Sequence, residues 1–489
     1  MGKHIRGLAR TQTALLPLCV EDFVGADSLP RVIDAYVNGL NLRTLGFAGC
    51  VPAHTGRPGY APDDMFKLFL YGYINRVRSS RRLETECKRN VEVMWLMGQI
   101  TPDHKSIAEF RRINVKALQG ACTAFTCFMR EAGLIAGDAP IVAVDGSRFK
   151  ASAAKSSLMN AEQLAKERAR IERRVGEYLA QLEETDREEA AQVDADAAQI
   201  QEALKRLRER DKALHKAQAD LAAKAAQADK ESEPRVGLTD PDCVMLTKNG
   251  TSVAGYNVQQ AVHAQHKLIV AHEVTTQRND RASLLPMATQ AQAALEVKTL
   301  IVVADTGYTN GAQSQACEAA GITPVVPMAE VPNTKNVQCY TRSLFTYDAQ
   351  SDTYTCPAGQ VLTRFKRDQA KQTDYYRTKL CAGCAHKAKC TDAPMRTIAR
   401  SWFAAAAERA DARAKQNPRQ MRTRSATVEH VFGNLKSILE GGFLMRTLAK
   451  VKGEMALGVL VYNLKRVINI LGIEALIAKW QARTACNAI

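Results

Sequence analysis

Apolar residues recur every three or four positions over much of the first 135 residues, which predicts several short helices. The segment PDDMFKLFLYGYINRV places Met65, Leu68 and Phe69 close to one face, and Pro62 suits a first helical position. Two more helices are predicted in SSRRLETECKRNVEVMWLMG and in TPDHKSIAEFRRIN. The chain therefore begins with a mostly helical domain.

The middle of the chain changes pattern twice. Residues 141–144 form a continuous apolar run, which predicts a buried strand with Asp145 at or near its C-terminal end. From 160 to 232 the composition turns to Ala, Glu, Lys, Arg and Gln, and apolar residues repeat every seven positions. This repeat predicts two long helices folded as a hairpin, with a polar turn near residues 183–189. The mixed charge of the hairpin favours packing against protein.

Strand patterns return after Pro234. The segments GYNVQQAVHA and KLIVAHEVTT predict two strands, KTLIVVAD predicts a third that ends at Asp305, and TPVVPMA predicts a fourth. An antiparallel portion followed by strand–helix alternation predicts a mixed α/β core. The expected domains are a helical domain (1–135), the core in two parts (136–159 and 233–330), the inserted hairpin (160–232), a cysteine-rich insertion (331–400) and C-terminal helices (401–489).

The charge of the chain indicates a polyanionic partner. The formal net charge is +16 and the isoelectric point is about 9.3. Basic residues are clustered: residues 395–452 hold 12 Lys and Arg against 4 Asp and Glu. Nucleic acid is the first expectation and an anionic membrane surface the second. In the N-terminal domain a plain helical fold with a basic rim is the alternative to DNA contact by Arg81, Arg82, Arg111 and Arg112.

Cysteine usage and hydropathy suggest a reduced, cytoplasmic protein. The 13 cysteines are an odd number spread over a long chain, unlike a small disulfide scaffold. The N-terminal apolar run is short and lacks an A-x-A site, so we expect no signal peptide. The apolar C-terminal stretch is interrupted by Lys465 and Arg466, which predicts a buried helix pair and no membrane span.

Two aspartates share one context. Asp145 and Asp305 each follow an apolar strand and precede small or polar residues. Active sites of α/β sheets favour such strand ends, and carboxylates bind hard divalent cations. With a third carboxylate they would suit two-metal phosphodiester chemistry. A turn or cap role for each aspartate is the alternative.

Three segments together resemble a known family. VAVDGSRFKA, VVADTGYTN and ATVEHVFGNLK look like the catalytic blocks of DDE transposases from bacterial insertion sequences, in the group with an N-terminal helical domain and a cysteine cluster. The resemblance covers roughly residues 15–475. It implies an RNase H-like core whose triad is Asp145, Asp305 and Glu429, holding two Mg²⁺ or Mn²⁺ ions.

The resemblance also implies contacts and an activity. Lys436 matches a basic residue past the glutamate, near DNA phosphate, whereas Ser425 stands where the family often has arginine, with Arg424 and Arg422 nearby. Asn257 is a possible neighbour of the site. The implied activity is cleavage of double-stranded DNA at element ends and strand transfer into target DNA, by a homodimer or larger assembly at the bacterial nucleoid. The alternatives are a catalytically silent DNA-binding regulator and a nuclease without strand transfer.

The cysteine-rich insertion suggests a structural metal. YTCPAGQVL and LCAGCAHKAKC supply four cysteines at spacings that fit a zinc ribbon, with His386 as a spare ligand. Free thiols on a loop are the alternative reading. The expected ligands are Cys356, Cys381, Cys384 and Cys390.

Overall fold

Seven stretches of the chain are described by a computed structural model: residues 19–52, 54–55, 58–185, 193–227, 233–248, 250–329 and 339–487. Most of the N-terminal apolar run lies outside the described residues. So does the part of the expected hairpin turn from residue 186 onward.

The N-terminal part is helical, as its periodicity predicts. Pro62 occupies the first turn of its helix, and Asp103 caps another by accepting hydrogen bonds from the backbone N–H groups of Lys105 and Ser106. The single helix expected over residues 79–98 is two helices, because Asn90 adopts an extended conformation and caps the second one. The helices are α1 (Leu29–Asn38), α2 (Pro62–Ile74), α3 (Ser80–Arg89), α4 (Val91–Leu96), α5 (His104–Ile113) and α6 (Val115–Glu131).

A mixed sheet with helices against it follows. The elements are β1 (Ile141–Lys150), β2 (Leu158–Met159), α7 (Ala161–Thr185), α8 (Val193–Gln227), β3 (Val236–Gly237), β4 (Val244–Lys248), β5 (Thr251–His263), β6 (Leu268–Thr275), α9 (Leu284–Leu295), β7 (Leu300–Val303), α10 (Gly311–Ala319) and β8 (Ile322–Val325). The main strands lie in the order β6-β5-β1-β7-β8, and β4 also pairs with β5. Strand β5 is antiparallel to both β1 and β6, whereas β1, β7 and β8 are parallel.

Strand β1 is longer than its apolar run suggests. It continues through Lys150, because the residues after Val144 stay paired with β5. Asp145 therefore lies within the strand, and the expectation that it ends the strand is wrong. The parallel pairing with β7, by contrast, stops at Ala143 and Val303.

Helices α7 and α8 pack against each other, as the sevenfold spacing predicts. Their shared core includes Leu164, Ile171, Leu214 and Leu221, all buried. The two-stranded pairing of β2 with β3 lies where the hairpin joins the rest of the chain. The insertion thus has an apolar cluster of its own.

The remaining chain forms a second sheet and four longer helices. The elements are β9 (Thr346–Asp348), β10 (Thr353–Thr355), β11 (Val361–Asp368), β12 (Thr373–Arg377), α11 (Lys387–Cys390), β13 (Thr397–Ser401), α12 (Ala404–Gln416), α13 (Pro418–Ile438), α14 (Leu448–Leu471) and α15 (Ile473–Asn487). The second sheet is antiparallel in the order β13-β12-β11-β10-β9. Helix α14 is largely buried and packs against α2, α6 and β6.

Within the described residues, no single helix is long and apolar enough to cross a membrane. Helix α14 and residues 473–483 of α15 meet the length and composition test together, but they are bent by 111° relative to each other.

A buried ionic network joins the N-terminal helices to the C-terminal ones. The carboxylate of Glu454 on α14 is fully buried and lies 3.4 Å from the guanidinium of Arg78, which follows α2. Glu454 also accepts hydrogen bonds from the Tyr73 hydroxyl and from the backbone N–H groups of Leu444 and Met445. A buried charge is tolerated when its partners satisfy it in this way. The network holds the chain that links α13 to α14 against the first domain.

Replacing Glu454 should therefore destabilise the protein. In Glu454→Gln an amide N–H₂ would face backbone donors, and Arg78 would lose its buried counter-charge. We expect the free energy of unfolding to fall by about 3 kcal/mol or more, measured by urea denaturation. The matched control is Glu440→Gln, because Glu440 pairs with the same arginine but is 57% exposed. The control should lose less than about 1 kcal/mol, and equal losses for the two variants would contradict the assigned role of the network.

Candidate active site

The parallel register of β1 and β7 brings Asp145 and Asp305 to one level of the sheet. Val142 pairs with Val302 and Ala143 with Val303, so positions 145 and 305 correspond across the two strands. Asp305 lies just beyond β7, where its Oδ1 accepts a hydrogen bond of 2.8 Å from the N–H of Gly307. Asp305 therefore has the turn role that was the alternative for it.

The two carboxylates influence each other. Burial first, and then the charge of Asp305, raise the pKa of Asp145 to about 6. The guanidinium of Arg424, on α13, opposes this shift, with its Nη1 3.2 Å from Asp145 Oδ2. Both side chains of this ion pair are more than three-quarters buried, at 21% and 15% exposure. A partly buried carboxylate beside a second one is a place where a cation is stabilised.

Asp280 is a third carboxylate at this site, and sequence reasoning missed it. It follows β6, and its Oδ1 accepts hydrogen bonds from the side-chain amides of Asn257 at 2.7 Å and Gln259 at 2.5 Å. Its charge raises the pKa of Asp145. The only signal in the sequence is an Asn-Asp pair after a strand, which is also what an ordinary turn shows.

Tyr308 ties the turn after β7 to this group. Its buried hydroxyl donates to the Gln259 amide oxygen. Burial, followed by the charges of Asp280, Asp145 and Asp305, raises its pKa well above the usual value. All three aspartates therefore lie within electrostatic reach of one buried hydroxyl. Asn257, the expected neighbour, lies in the same network.

The glycine after Asp145 has a steric reason. A Cβ at Gly146 would lie 2.4 Å from Gln259 Nε2 and 2.7 Å from Asp280 Oδ1, so any side chain there would force these two groups to move. The absence of a side chain at Gly146 therefore lets the Gln259 amide and the Asp280 carboxylate lie close to β1.

Glu429 lies on α13 but is not gathered with the aspartates. Its side chain is exposed, and its Oε1 accepts a hydrogen bond of 2.6 Å from the hydroxyl of Ser425 one turn earlier. In the part of the chain that the structure describes, no three His, Cys, Asp or Glu side chains form a group that could hold a metal ion. Two neighbouring residues of α13 therefore contact different carboxylates: the Ser425 hydroxyl contacts Glu429, and the Arg424 guanidinium contacts Asp145.

The expected DNA-contacting residues have different surroundings. Arg81, Arg82 and Arg422 are exposed, and Arg112 is exposed and paired with Glu109. Lys436 is also exposed, with its Nζ 5.8 Å from the centre of the Phe149 ring.

Arg111 has contacts within the protein, and its contact with DNA stays a prediction. Its guanidinium donates to the Tyr73 hydroxyl and to the backbone carbonyl of Arg78, both at 3.2 Å, and lies over the ring of Phe69. It is therefore engaged within the protein.

The four cysteines of the insertion line one small cavity of about 30 Å³ beside the second sheet. Burial raises the pKa of Cys390, and the other three cysteines raise it further while Arg396 opposes them. His386 lines the same cavity, and its ring nitrogen lies 2.8 Å from the Tyr340 hydroxyl. The sulfur atoms are thus neighbours, although they do not form a ready-made metal site among the described residues. The cavity is lined by all four cysteines that the sequence predicts as zinc ligands: Cys356, Cys381, Cys384 and Cys390.

Two family models match the chain. A transposase domain (DUF772) matches residues 18–112, and a transposase DDE domain matches residues 355–468. The second match includes Glu429 and the cysteine cavity, whereas Asp145 and Asp305 lie outside both matched segments. No curated protein matches the chain.

Among solved structures, the chain is similar to one described as "Cryo-EM structure of piggyBac transposase synaptic complex with hairpin DNA (SNHP)". The alignment covers 93% of this chain and 76% of the other at 8% identity. Its TM-score is 0.29, which is too low to carry an argument about fold or site.

The raised pKa of Asp145 predicts a pH-dependent stability. Because the folded-state pKa is about 6 against 3.8 in the unfolded chain, folding disfavours the charged form, and stability is lost as the pH rises from 4 through 6. Asp145→Asn removes this loss. Between pH 4 and pH 7 its unfolding free energy should rise relative to the wild type by about 2–3 kcal/mol. Urea denaturation in EDTA measures this.

The matched control for this prediction is Asp348→Asn. Hydrogen bonds from Ser351 and Gln350 lower the pKa of Asp348, so its contribution to stability is lost mainly below pH 4, and its replacement should leave the profile between pH 4 and pH 7 nearly unchanged. If the unfolding free energies of Asp145→Asn and wild type run parallel from pH 4 to pH 7, the electrostatic description of Asp145 is wrong.

Proposed function

The chain belongs to the DDE transposases, and we propose that Asp145, Asp305 and Glu429 carry metal-dependent phosphoryl transfer on DNA. The observation that supports this most directly is the pairing of β1 with β7, which sets Asp145 and Asp305 at one level of the sheet. Burial, followed by the charge of Asp305, raises the pKa of Asp145. Glu429 is included because the segment ATVEHVFGNLK resembles a catalytic block of the family. It also lies on α13, the helix whose Arg424 contacts Asp145.

The aspartates fit a divalent cation by their chemistry. Carboxylate oxygens are the donors that Mg²⁺ and Mn²⁺ take, and this end of the sheet gathers more negative charge than Arg424 alone neutralises. Asp145 and Asp305 would hold the ions, with Glu429 as the third ligand. When bound, such ions activate the attacking oxygen and stabilise the leaving oxygen. Asp280 is held by two amides, so we assign it to positioning.

The proposed reaction has two steps. In the first, a water oxygen attacks a backbone phosphorus at the end of the element, the P–O3′ bond breaks, and O3′ leaves as a hydroxyl. In the second, that hydroxyl attacks a phosphorus of the target DNA, and the target's own O3′ leaves. Arg424 fixes the orientation of Asp145, and the Gln259–Tyr308 hydrogen bond fixes the turn that follows Asp305.

The strand order supports an RNase H-like core. If the five main strands β1, β5, β6, β7 and β8 are numbered 1 to 5 along the chain, their order in the sheet is 3-2-1-4-5. Strands 1, 2 and 3 are antiparallel neighbours, and strands 4 and 5 are parallel to strand 1. In this proposal α13 supplies the third acidic residue from outside the sheet. We also propose assembly of two or more copies on DNA, since the two ends of an element must be processed together.

The cysteine cavity supports a structural zinc. Four thiols line one cavity, and thiolate sulfur is the donor that structural Zn²⁺ prefers. Cys356, Cys381, Cys384 and Cys390 would hold the ion, and it would stabilise the fold of the second sheet without taking part in the reaction.

Neutralising any one of the three acidic residues should abolish cleavage while DNA binding persists. Asp145→Asn, Asp305→Asn and Glu429→Gln should each lower Mg²⁺-dependent cleavage of DNA carrying the element's end by about a hundredfold or more, because each loses charge at the reacting phosphate. Asp348→Asn and Glu440→Gln are the matched controls and should cleave normally. Normal cleavage by all three acidic variants would overturn the assignment.

A pre-cut end separates transposition from simple cleavage. With a free 3′-hydroxyl supplied on the element's end, the wild-type protein should join it to target DNA in Mg²⁺. Cleavage without joining would favour the nuclease, and binding without either reaction would favour the silent regulator.

The zinc proposal predicts about one Zn²⁺ per chain in the purified protein, measured by elemental analysis. Cys381→Ser and Cys384→Ser should each remove most of the metal and lower the thermal stability, because three remaining thiolates hold zinc poorly. Cys127→Ser is the matched control, since Cys127 is similarly half-buried but lies on α6. A metal-free wild-type protein would refute the proposal.

A further inference from the structure

A cleft of about 520 Å³ opens next to the aspartates, and its walls come from five parts of the chain. These are the second half of β1, the start of β5, the loop after β6, the end of α13 and the turn that follows α13. Gly146, Asn257 and Asp280 belong both to this cleft and to the surroundings of Asp145. The cleft is therefore continuous with the proposed active site.

Four basic residues line the cleft: Arg148, Lys150, Arg278 and Lys436. Asp280 is the one carboxylate among its lining residues, and it already accepts hydrogen bonds from two amides. Arg148, Lys150 and Arg278 form no ion pair with any residue that the structure describes. Arg148, Lys150 and Arg278 thus bring positive charge into the cleft without an ion-pair partner in the described part of the chain.

Two arginines of the hairpin are paired instead. On the hairpin, Arg170 lies 3.6 Å from Glu167 and Arg173 lies 3.7 Å from Glu177. These pairs are what a solvated helix surface shows. Arg148, Lys150 and Arg278 line one concave surface without such a partner among the described residues, so they offer a binding place to an anionic ligand.

The size of the cleft suits a run of nucleic-acid backbone. From 146 to 150, β1 extends about 13 Å at roughly 3.3 Å per residue. One strand of a DNA duplex presents about four phosphates over that length, at roughly 3.4 Å of axial rise each. The four basic residues that line the cleft carry the charge opposite to that of such a run.

We propose that this cleft binds the phosphates of the DNA strand next to the scissile bond, through Arg148, Lys150, Arg278 and Lys436. The place of the scissile bond rests on the proposed function, whereas the binding of DNA backbone by the cleft does not. Cations of this kind position the strand and carry no sequence information. The cleft would thereby set which phosphate reaches Asp145 and Asp305.

The test is the salt dependence of binding to a short fluorescein-labelled DNA duplex, measured by anisotropy in EDTA. Each phosphate contact that is lost lowers the slope of log K against log salt by about 0.9. Arg148→Ala/Arg278→Ala should therefore lower the slope by about 1.8, and Arg148→Lys/Arg278→Lys should restore most of it. The control Arg170→Ala/Arg173→Ala removes the same charge from the hairpin and should leave the slope unchanged.

An unchanged slope in Arg148→Ala/Arg278→Ala, or an equal decrease in the hairpin control, would overturn the proposal. Because EDTA prevents metal-dependent chemistry, this result is independent of the cleavage assay. If the acidic variants still cleave while the slope decreases, the proposed chemistry is wrong and the cleft is right. If they lose cleavage while the slope stays unchanged, the chemistry is right and the cleft is wrong.

Discussion

Strand β1 is hydrogen-bonded on both sides, and the site depends on this double pairing. On one side β5 stays paired along almost the whole strand, and on the other β7 pairs only as far as Ala143. Beyond that point the edge of β1 next to β7 is no longer paired, and Asp145 on β1 and Asp305 just after β7 lie at this level. A shift of one residue between β1 and β5 would reverse which face each side chain occupies. The register is therefore a condition for the chemistry as well as for the fold.

The same strand connects the site to the rest of the molecule. Its last residue, Lys150, exchanges backbone hydrogen bonds with Gly441 and Phe443 in the link between α13 and α14. That link is also held by Glu454, whose other partner, Arg78, belongs to the N-terminal helices. Hydrogen bonds and an ion pair thus connect the helical domain to the wall of the cleft without a break. Buried ionic networks of this kind add little net stability, but they restrict how neighbouring parts can be arranged.

Local patterns predicted much of this arrangement, and long-range contacts account for what they missed. Pro62, the sevenfold repeats and the apolar runs before Asp145 and Asp305 each depend on neighbours in sequence, so the helices, the hairpin and the mixed core could be predicted. The internal role of Arg111 could not, because Tyr73 and Phe69 are brought to it by folding. Asp280 was hidden for the same reason, since Asn257 and Gln259 lie on another strand. The zinc site and the exact domain boundaries stay predictions.

Helix α13 shows how a departure from a family pattern can be compensated locally. An arginine one turn before the glutamate would lie beside Glu429 and could neutralise it. Here that position is Ser425, whose hydroxyl orients the carboxylate without cancelling its charge. Arg424, one residue earlier, supplies the positive charge. Because successive helical residues point about 100° apart, its guanidinium contacts Asp145 and not Glu429. In the proposed site Glu429 would thus remain open to a cation, while the guanidinium of Arg424 opposes the rise in the pKa of Asp145 that burial and Asp305 cause.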